Sequence, residues 1–172
     1  MPLIFTRLVY HKPIEKGLDL VKANKKMKSF LNKAKKQTNL KIKEYSELLW
    51  PNFIEENGCV FFEREYQKSG KIDYDRYFDK IGAEAFVNHI HLNDYIDDHL
   101  NNFEKLFIGT ILLDVWSCKI KMEYPSYRFV FILSFDDDGE CILRFHKERK
   151  GSSWIDMSKI EDYSEGIIVK EI

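Results

Sequence analysis

The sequence predicts an α+β fold: a single domain over residues 1–172, with a mostly antiparallel sheet covered by helices. Three stretches carry that expectation. Residues 127–146 run Tyr-Arg-Phe-Val-Phe-Ile-Leu-Ser-Phe, then Asp136-Asp137-Asp138-Gly139, then Glu-Cys-Ile-Leu-Arg-Phe-His. Two β-branched and aromatic runs flanking a turn that closes on Asp-Gly are the signature of a β-hairpin. Residues 103–122 hold a dense apolar run with no turn signal before Pro125, a length that suits a buried helix better than a strand. That helix is expected to lie across the hairpin, with Gly109 allowing close approach to the sheet. Residues 18–36 place Leu20, Val21, Met27, Phe30, Leu31 and Ala34 at roughly helical spacing with lysines between them, which predicts an amphipathic helix.

The other elements follow in chain order. Residues 3–10 are short and β-rich and read as a strand ended by His11-Lys12-Pro13. Residues 44–54 read as a buried helical turn or loop, stopped by Pro51 and Gly58. Residues 58–66 read as a strand ended by Ser69-Gly70. Tyr74, Tyr77, Phe78 and Ile81 predict a short helix before Gly82. Residues 86–92 read as extended, with Val87, His89 and His91 on one side. Asn93 or Asp94 is expected to cap a helix through Tyr95, Ile96, Leu100 and Phe103. After the hairpin, residues 147–152 form a solvated turn. Ser158 and Glu161 have capping-box spacing for one or two helical turns, and Ile167-Ile168-Val169 closes the chain as a strand.

Composition narrows the class. The chain is 44% hydrophobic and 32% charged, so it is globular. The three cysteines, Cys59, Cys118 and Cys141, show no CxxC spacing, which argues for a reducing compartment and for thiols packed in the core. The N-terminal residues lack a signal-peptide pattern and no stretch is apolar enough to span a membrane, so the expected location is the cytoplasm. Net charge is -1, yet residues 16–43 carry ten lysines against one acid, Asp19. Most such faces are simply solvated. Nucleic-acid contact is disfavoured because the bases are all lysine and Phe30 belongs to the apolar stripe.

Few residues point to chemistry. His89 and His91, spaced i and i+2, with Asp94 downstream form a His-x-His-x-x-Asp cluster, one reading of which is a catalytic metal site in a hydrolase. The spacing fits no established metal motif, and histidines bonded to backbone or a partner are the plainer reading. Asp136, Asp137 and Asp138 lack the alternation of a calcium loop and are explained as a turn, or as a negative patch for a cationic partner. Arg144, His146 and Arg149 near Trp154 form a polar and aromatic group, more in keeping with a sheet edge than with a site. No P-loop, nucleophile elbow or dinucleotide fingerprint is present.

Residues 86–94, Phe-Val-Asn-His-Ile-His-Leu-Asn-Asp, and residues 144–154, Arg-Phe-His-Lys-Glu-Arg-Lys-Gly-Ser-Ser-Trp, together with residues 160–163 and the closing Gly-Ile-Ile-Val-Lys-Glu-Ile, resemble small bacterial immunity proteins of polymorphic and contact-dependent toxin systems. The resemblance covers residues 86–172. It implies a non-enzymatic antitoxin that binds a cognate toxin domain and occludes it, without a cofactor. On that view Asp94, Asp97, Asp98, Asp136, Asp137 and Asp138 form the partner-binding surface, facing a basic cleft. The alternatives are a metal-dependent hydrolase using His89, His91 and Asp94, and an RNA-associated protein using the lysine-rich helix.

Overall fold

The computed structural model describes residues 21–37, 46–96 and 99–172. The strand expected at 3–10, the start of the lysine helix at 18–20, and Asp97 and Asp98 lie outside these residues.

The expected hairpin is the centre of the fold. Strands β5 (Phe129–Phe135) and β6 (Cys141–Lys147) pair antiparallel from Phe129↔Lys147 to Phe135↔Cys141. Asp136 closes the turn: its backbone N–H donates to the Glu140 carbonyl, its Oδ1 accepts from Glu140 N–H at 2.9 Å, and Gly139 takes φ 88°. Strand β7 (Gly166–Glu171) pairs with the other side of β5, β1 (Val21–Ala23) pairs with β7, and β4 (Ile90–His91) pairs with β6. The sheet order is therefore β1-β7-β5-β6-β4, antiparallel throughout.

Alternation divides this sheet into two faces. Phe129, Phe131, Leu133 and Phe135 of β5, Cys141, Leu143 and Phe145 of β6, and Ile168 of β7 point into the main core. Helix α5 (Asn102–Glu123) lies over them, as expected for residues 103–122. A Cβ on Gly109 would come within 2.7 Å of Leu133 Cδ1 and 2.9 Å of Cys141 Sγ, so glycine there lets the helix sit close on the hairpin. Asn101 caps α5, in a reciprocal capping box with Glu104. The separate helix expected from Asn93 or Asp94 through Phe103 is corrected: Leu92–Asp94 forms a 3-10 turn, and Phe103 belongs to the first turn of α5.

Helix α1 (Lys25–Gln37) packs on α5 through Met27, Phe30 and Ala34. It begins later than its apolar spacing predicts, because Val21–Ala23 is taken by the sheet. Asn24 makes the change of direction: its Oδ1 accepts from Met27 N–H at 2.8 Å and Ile167 N–H at 3.3 Å, tying the first turn of α1 to β7. The second face of the sheet, Val130, Ile132, Ile167 and Val169, is covered by Ile155, Met157, Ile160 and Tyr163. That cover is a 3-10 turn, Met157–Asp162, capped by Asp156 rather than Ser158.

A second, two-stranded sheet stands beside β6. Strands β2 (Phe53–Glu56) and β3 (Cys59–Phe62) are joined by Asn57 and Gly58 at φ 53° and 74°. Two positive-φ residues with the sequence Asn-Gly are the preferred two-residue hairpin turn. The expected strand 58–66 is thus halved: it ends at Phe62, and Glu63–Ser69 forms helix α3. Before it, Ser46–Leu49 forms the single helical turn α2, whose Leu48 carbonyl accepts from the buried Trp116 Nε1 at 2.6 Å.

Two expectations between residues 73 and 92 are corrected. Gly82 does not stop a helix. Tyr74–Tyr77 is a 3-10 turn, and helix α4 (Lys80–Val87) has Gly82 in its first turn, bonded to the Asp79 cap at 2.7 Å. Any Cβ on Gly82 would collide with the Tyr77 carbonyl. Residues 86 and 87 are consequently helical, and the extended stretch shrinks to Ile90–His91.

Candidate functional site

The 3-10 turn at Met157–Asp162 covers the outer face of β5 and β7 and leaves part of the β6–β4 side of the same face only partly covered, although His146, further along β6 on that face, is buried. His91 is paired with Ile142, which is paired with Ser134, so these three project together. Arg144 follows two residues beyond Ile142 on the same side. All four are only partly buried. Trp154, 41% exposed, stands over Arg144 with the guanidinium carbon 5.4 Å from its ring centroid.

A chain of rings borders this open face. Tyr77 packs on Phe86 at 5.0 Å, Phe86 on His89 at 5.4 Å, and His89 edge-on to His91 at 5.1 Å. Phe86 is half exposed, and Phe78, beside Tyr77, is 99% exposed at a left-handed φ of 67°. A bulky residue rarely takes that backbone conformation. Beyond Phe78, the Asp79 cap and the close Tyr77–Gly82 approach hold the chain.

The ring chain ends at the acidic turn. His91 Nδ1 lies 2.5 Å from Glu140 Oε1. Asn93 donates to the Gly139 carbonyl at 3.3 Å and accepts from Cys141 N–H at 3.3 Å, which sets the neighbouring, exposed Asp94 beside the hairpin turn. The structure therefore brings Asp94 to the same end of the fold as Asp136, Asp137 and Asp138. The three aspartates are not equivalent. Asp136 closes the turn, Asp137 pairs with Lys26 of α1 at 2.7 Å, and the Asp138 side chain is exposed with no partner among the described residues.

His89 and His91 share one side and touch, but their Nδ1 atoms are occupied, by the Phe86 carbonyl and Glu140 respectively. Among the described residues no three His, Cys, Asp or Glu side chains gather closely enough to hold a metal ion. Cys59 and Cys141 are buried, as expected; burial pushes the Cys59 thiol up to about 11 and raises Cys141 further still. Cys118 departs from the expectation and is exposed on α5.

The group at the end of the hairpin splits in two. Arg144 and Trp154 belong to the open face. Arg149 turns inward to Glu84, which is fully buried on α4; burial raises the Glu84 carboxyl above its ordinary range, against the pull of Arg149. His146 is buried, with Nδ1 3.0 Å from the Lys147 carbonyl and Nε2 without a partner among the described residues. Facing a carbonyl, Nδ1 must carry the proton, and burial lowers the His146 pKa, so the ring is neutral.

A family model described as "Uncharacterized protein PM0498 family" matches residues 22–172. The chain belongs to this family. It is similar to "Uncharacterized protein PM0498" of Pasteurella multocida (strain Pm70), 26% identical over 164 residues covering 89% of this chain and 99% of that protein. No solved structure matches it. The match to the PM0498 family takes in every residue of the open face.

Sequence reasoning named His89, His91, Asp94 and Asp136–Asp138 but missed Phe78 and Phe86 as surface residues. Helical spacing groups Phe78 with Tyr74, Tyr77 and Ile81, and alternation groups Phe86 with Asn88, Ile90 and Leu92. The signal for Phe78 is Asp79 three residues before Gly82: an aspartate cap there places Phe78 just before the helix.

Proposed function

We propose that this chain is a non-enzymatic protein-binding module, an immunity protein that neutralises a cognate bacterial toxin domain by covering it. The observation that carries this reading is the partly covered surface on the β6–β4 side of the sheet's outer face. It presents Trp154, Arg144, Phe86 and the two histidines as one surface, with the acidic turn at its rim. Tryptophan and arginine are the side chains most enriched among energetically dominant interface residues, and charges work best at the rim, where they steer encounter. Asp94 and Asp138 supply that steering toward a cationic cleft, and the aromatic centre slows dissociation. Asp97 and Asp98 extend the same acidic run in sequence.

The reading also agrees with what the described residues do chemically. The buried ionisable groups Glu84, Arg149 and His146 are used in holding strands and turns together. No helix among the described residues is long and apolar enough to cross a membrane. The lysine-rich helix is partly committed within the fold, Lys26 to Asp137 and to the Ser164 carbonyl, and Lys33 over Phe103.

The test is co-expression with the product of the neighbouring gene. A stable complex, protection from that product's toxicity, and weakening of both in Trp154→Ala support the proposal. A toxic neighbour that this chain neither binds nor silences refutes it.

A further inference from the structure

Arg144 is an unusual cation. It sits on a central strand, partly buried, with its guanidinium against the ring of Trp154. Among the described residues no carboxylate lies within ion-pair distance of it and no hydrogen bond to it is formed, whereas Arg64, Arg128 and Arg149 each have an acidic partner. Partly buried guanidinium groups ordinarily take a carboxylate or a carbonyl, because five N–H donors removed from water need acceptors. Burial accordingly pulls the Arg144 pKa down, and the attraction of the Glu165 carboxylate only partly offsets this.

We infer that Arg144 and Trp154 form a socket for a carboxylate, which completes the guanidinium's hydrogen bonds while the indole shields one side. The planar fork of arginine matches a carboxylate at two points. A phosphate fits less well. The socket offers one cation on a β-strand, and Glu165 opposes a second negative charge on the ligand. On the proposed function, which this inference uses only for the source of the ligand, the carboxylate is an acidic side chain of the bound protein set among its basic groups. The acidic rim then matches the partner's cations and Arg144 its one anion, an arrangement that fixes orientation as well as attraction.

The experiment needs no partner. The Arg144 Nε–H resonance is followed by NMR while acetate replaces chloride at constant ionic strength, with inorganic phosphate as a second arm. A saturable shift with acetate supports the socket. No shift, a linear drift shared with chloride (an adventitious ion only), or tighter binding of phosphate overturns it. In parallel, Arg144→Met keeps the aliphatic stem on Trp154 and removes the unmatched charge. It should raise the melting temperature of the free protein, by about 2–4 °C for a gain near 1 kcal/mol, and abolish any acetate-dependent rise. A lower melting temperature would show that Arg144 is already satisfied within the fold. Acetate binding without any toxin complex would leave the socket standing and remove the immunity reading. A complex unaffected by Arg144→Met would do the reverse.

Discussion

Glu84 of α4 and Asn88, which caps the helix one turn later, together join β3 to β6, strands of different sheets. The Glu84 carboxylate accepts from Val60 N–H of β3 at 2.8 Å and from Lys147 N–H of β6 at 2.9 Å. Asn88 Nδ2 donates to the Val60 carbonyl at 2.8 Å and the Phe145 carbonyl at 3.2 Å, while its Oδ1 accepts from Phe62 N–H at 2.9 Å. Two side chains thus do the work of a missing strand. An exposed edge is a site of unwanted pairing, and here α4 closes two of them. Arg149 completes the arrangement, bonding Glu84 through both terminal nitrogens and reaching the Gly58 carbonyl at 3.1 Å.

Glu84→Ala should therefore be among the most damaging single changes in the chain. It leaves Arg149 and two backbone N–H groups without their acceptor, a loss of about 3–5 kcal/mol for breaking a buried pair from one side. Glu84→Gln keeps one acceptor oxygen and should cost about 1–3 kcal/mol. Urea unfolding of the two variants checks both the size and the order.

The turn that displays Phe78 makes opposite predictions for neighbouring positions. Gly82→Ala puts a Cβ into the Tyr77 carbonyl, a backbone atom that cannot swing aside, so the variant should lose about 1–3 kcal/mol as an overpacked site does. Phe78→Gly removes a fully exposed ring and the left-handed strain at φ 67°. Relief of about 1–2 kcal/mol of strain, less the added freedom of the unfolded chain, should leave the protein as stable or slightly more so. Thermal melts moving in the same direction for both variants would contradict the described turn.

How much of this was legible beforehand varies with range. The hairpin, α5 and β7 were read correctly because each combines a full-length apolar pattern with its own punctuation, such as Asp138-Gly139 or the approach to Pro125. Gly109 was legible too, as a small residue inside a long apolar helix. Strand β1 was not: three residues, Val21–Ala23, continue a helical spacing and become a strand only because β7 offers an edge. The β2–β3 hairpin was missed: Asn57-Gly58 carries its turn signal, but residues 44–54 read as a helical turn or loop, and the apolar run after Gly58 hides the halt at Phe62. Glu84 and Asn88 were unreadable as a pair, since their partners lie 24 to 63 residues away. The acidic residues of the site were visible as composition, whereas the division of labour among Asp136, Asp137 and Asp138 depends on Lys26 and Glu140 arriving from elsewhere.

His146 makes stability depend on pH. Burial lowers its folded pKa below the ordinary histidine value, while the unfolded chain keeps that value, near 6.5. As pH falls through this range the unfolded state takes up the proton first, so stability present at pH 7.5 declines toward pH 5. Arg149 opposes protonation of the ring, and Asp79 and Glu148 favour it without overcoming burial. His146→Phe keeps the ring's bulk and dispenses with the unpartnered Nε2. Its urea midpoint should change less than the parent's between pH 7.5 and 5.5. An equal slope in both proteins would place the titration elsewhere.

The acidic turn and the aromatic face should separate kinetically in any complex that uses them. Asp138 is exposed and unpartnered among the described residues, while Asp137 already neutralises Lys26 across a 2.7 Å ion pair. Asp138→Asn should then slow association with a cationic partner, and Asp137→Asn should slow it at least as much, because losing that acid also leaves Lys26 as an uncompensated positive charge. Both effects should shrink at high salt, because rim charges act through long-range steering screened over about 10 Å at 0.1 M. Asp136→Asn is unsuitable for this comparison, since its carboxylate closes the hairpin. Trp154→Ala should leave association nearly unchanged and speed dissociation at least tenfold, as loss of a central anchor worth about 2 kcal/mol requires. Surface plasmon resonance at two salt concentrations resolves the two effects. If Trp154→Ala instead altered only the association rate, the ring would be at the rim and the centre of the interface would have to be sought nearer Phe78 and Phe86.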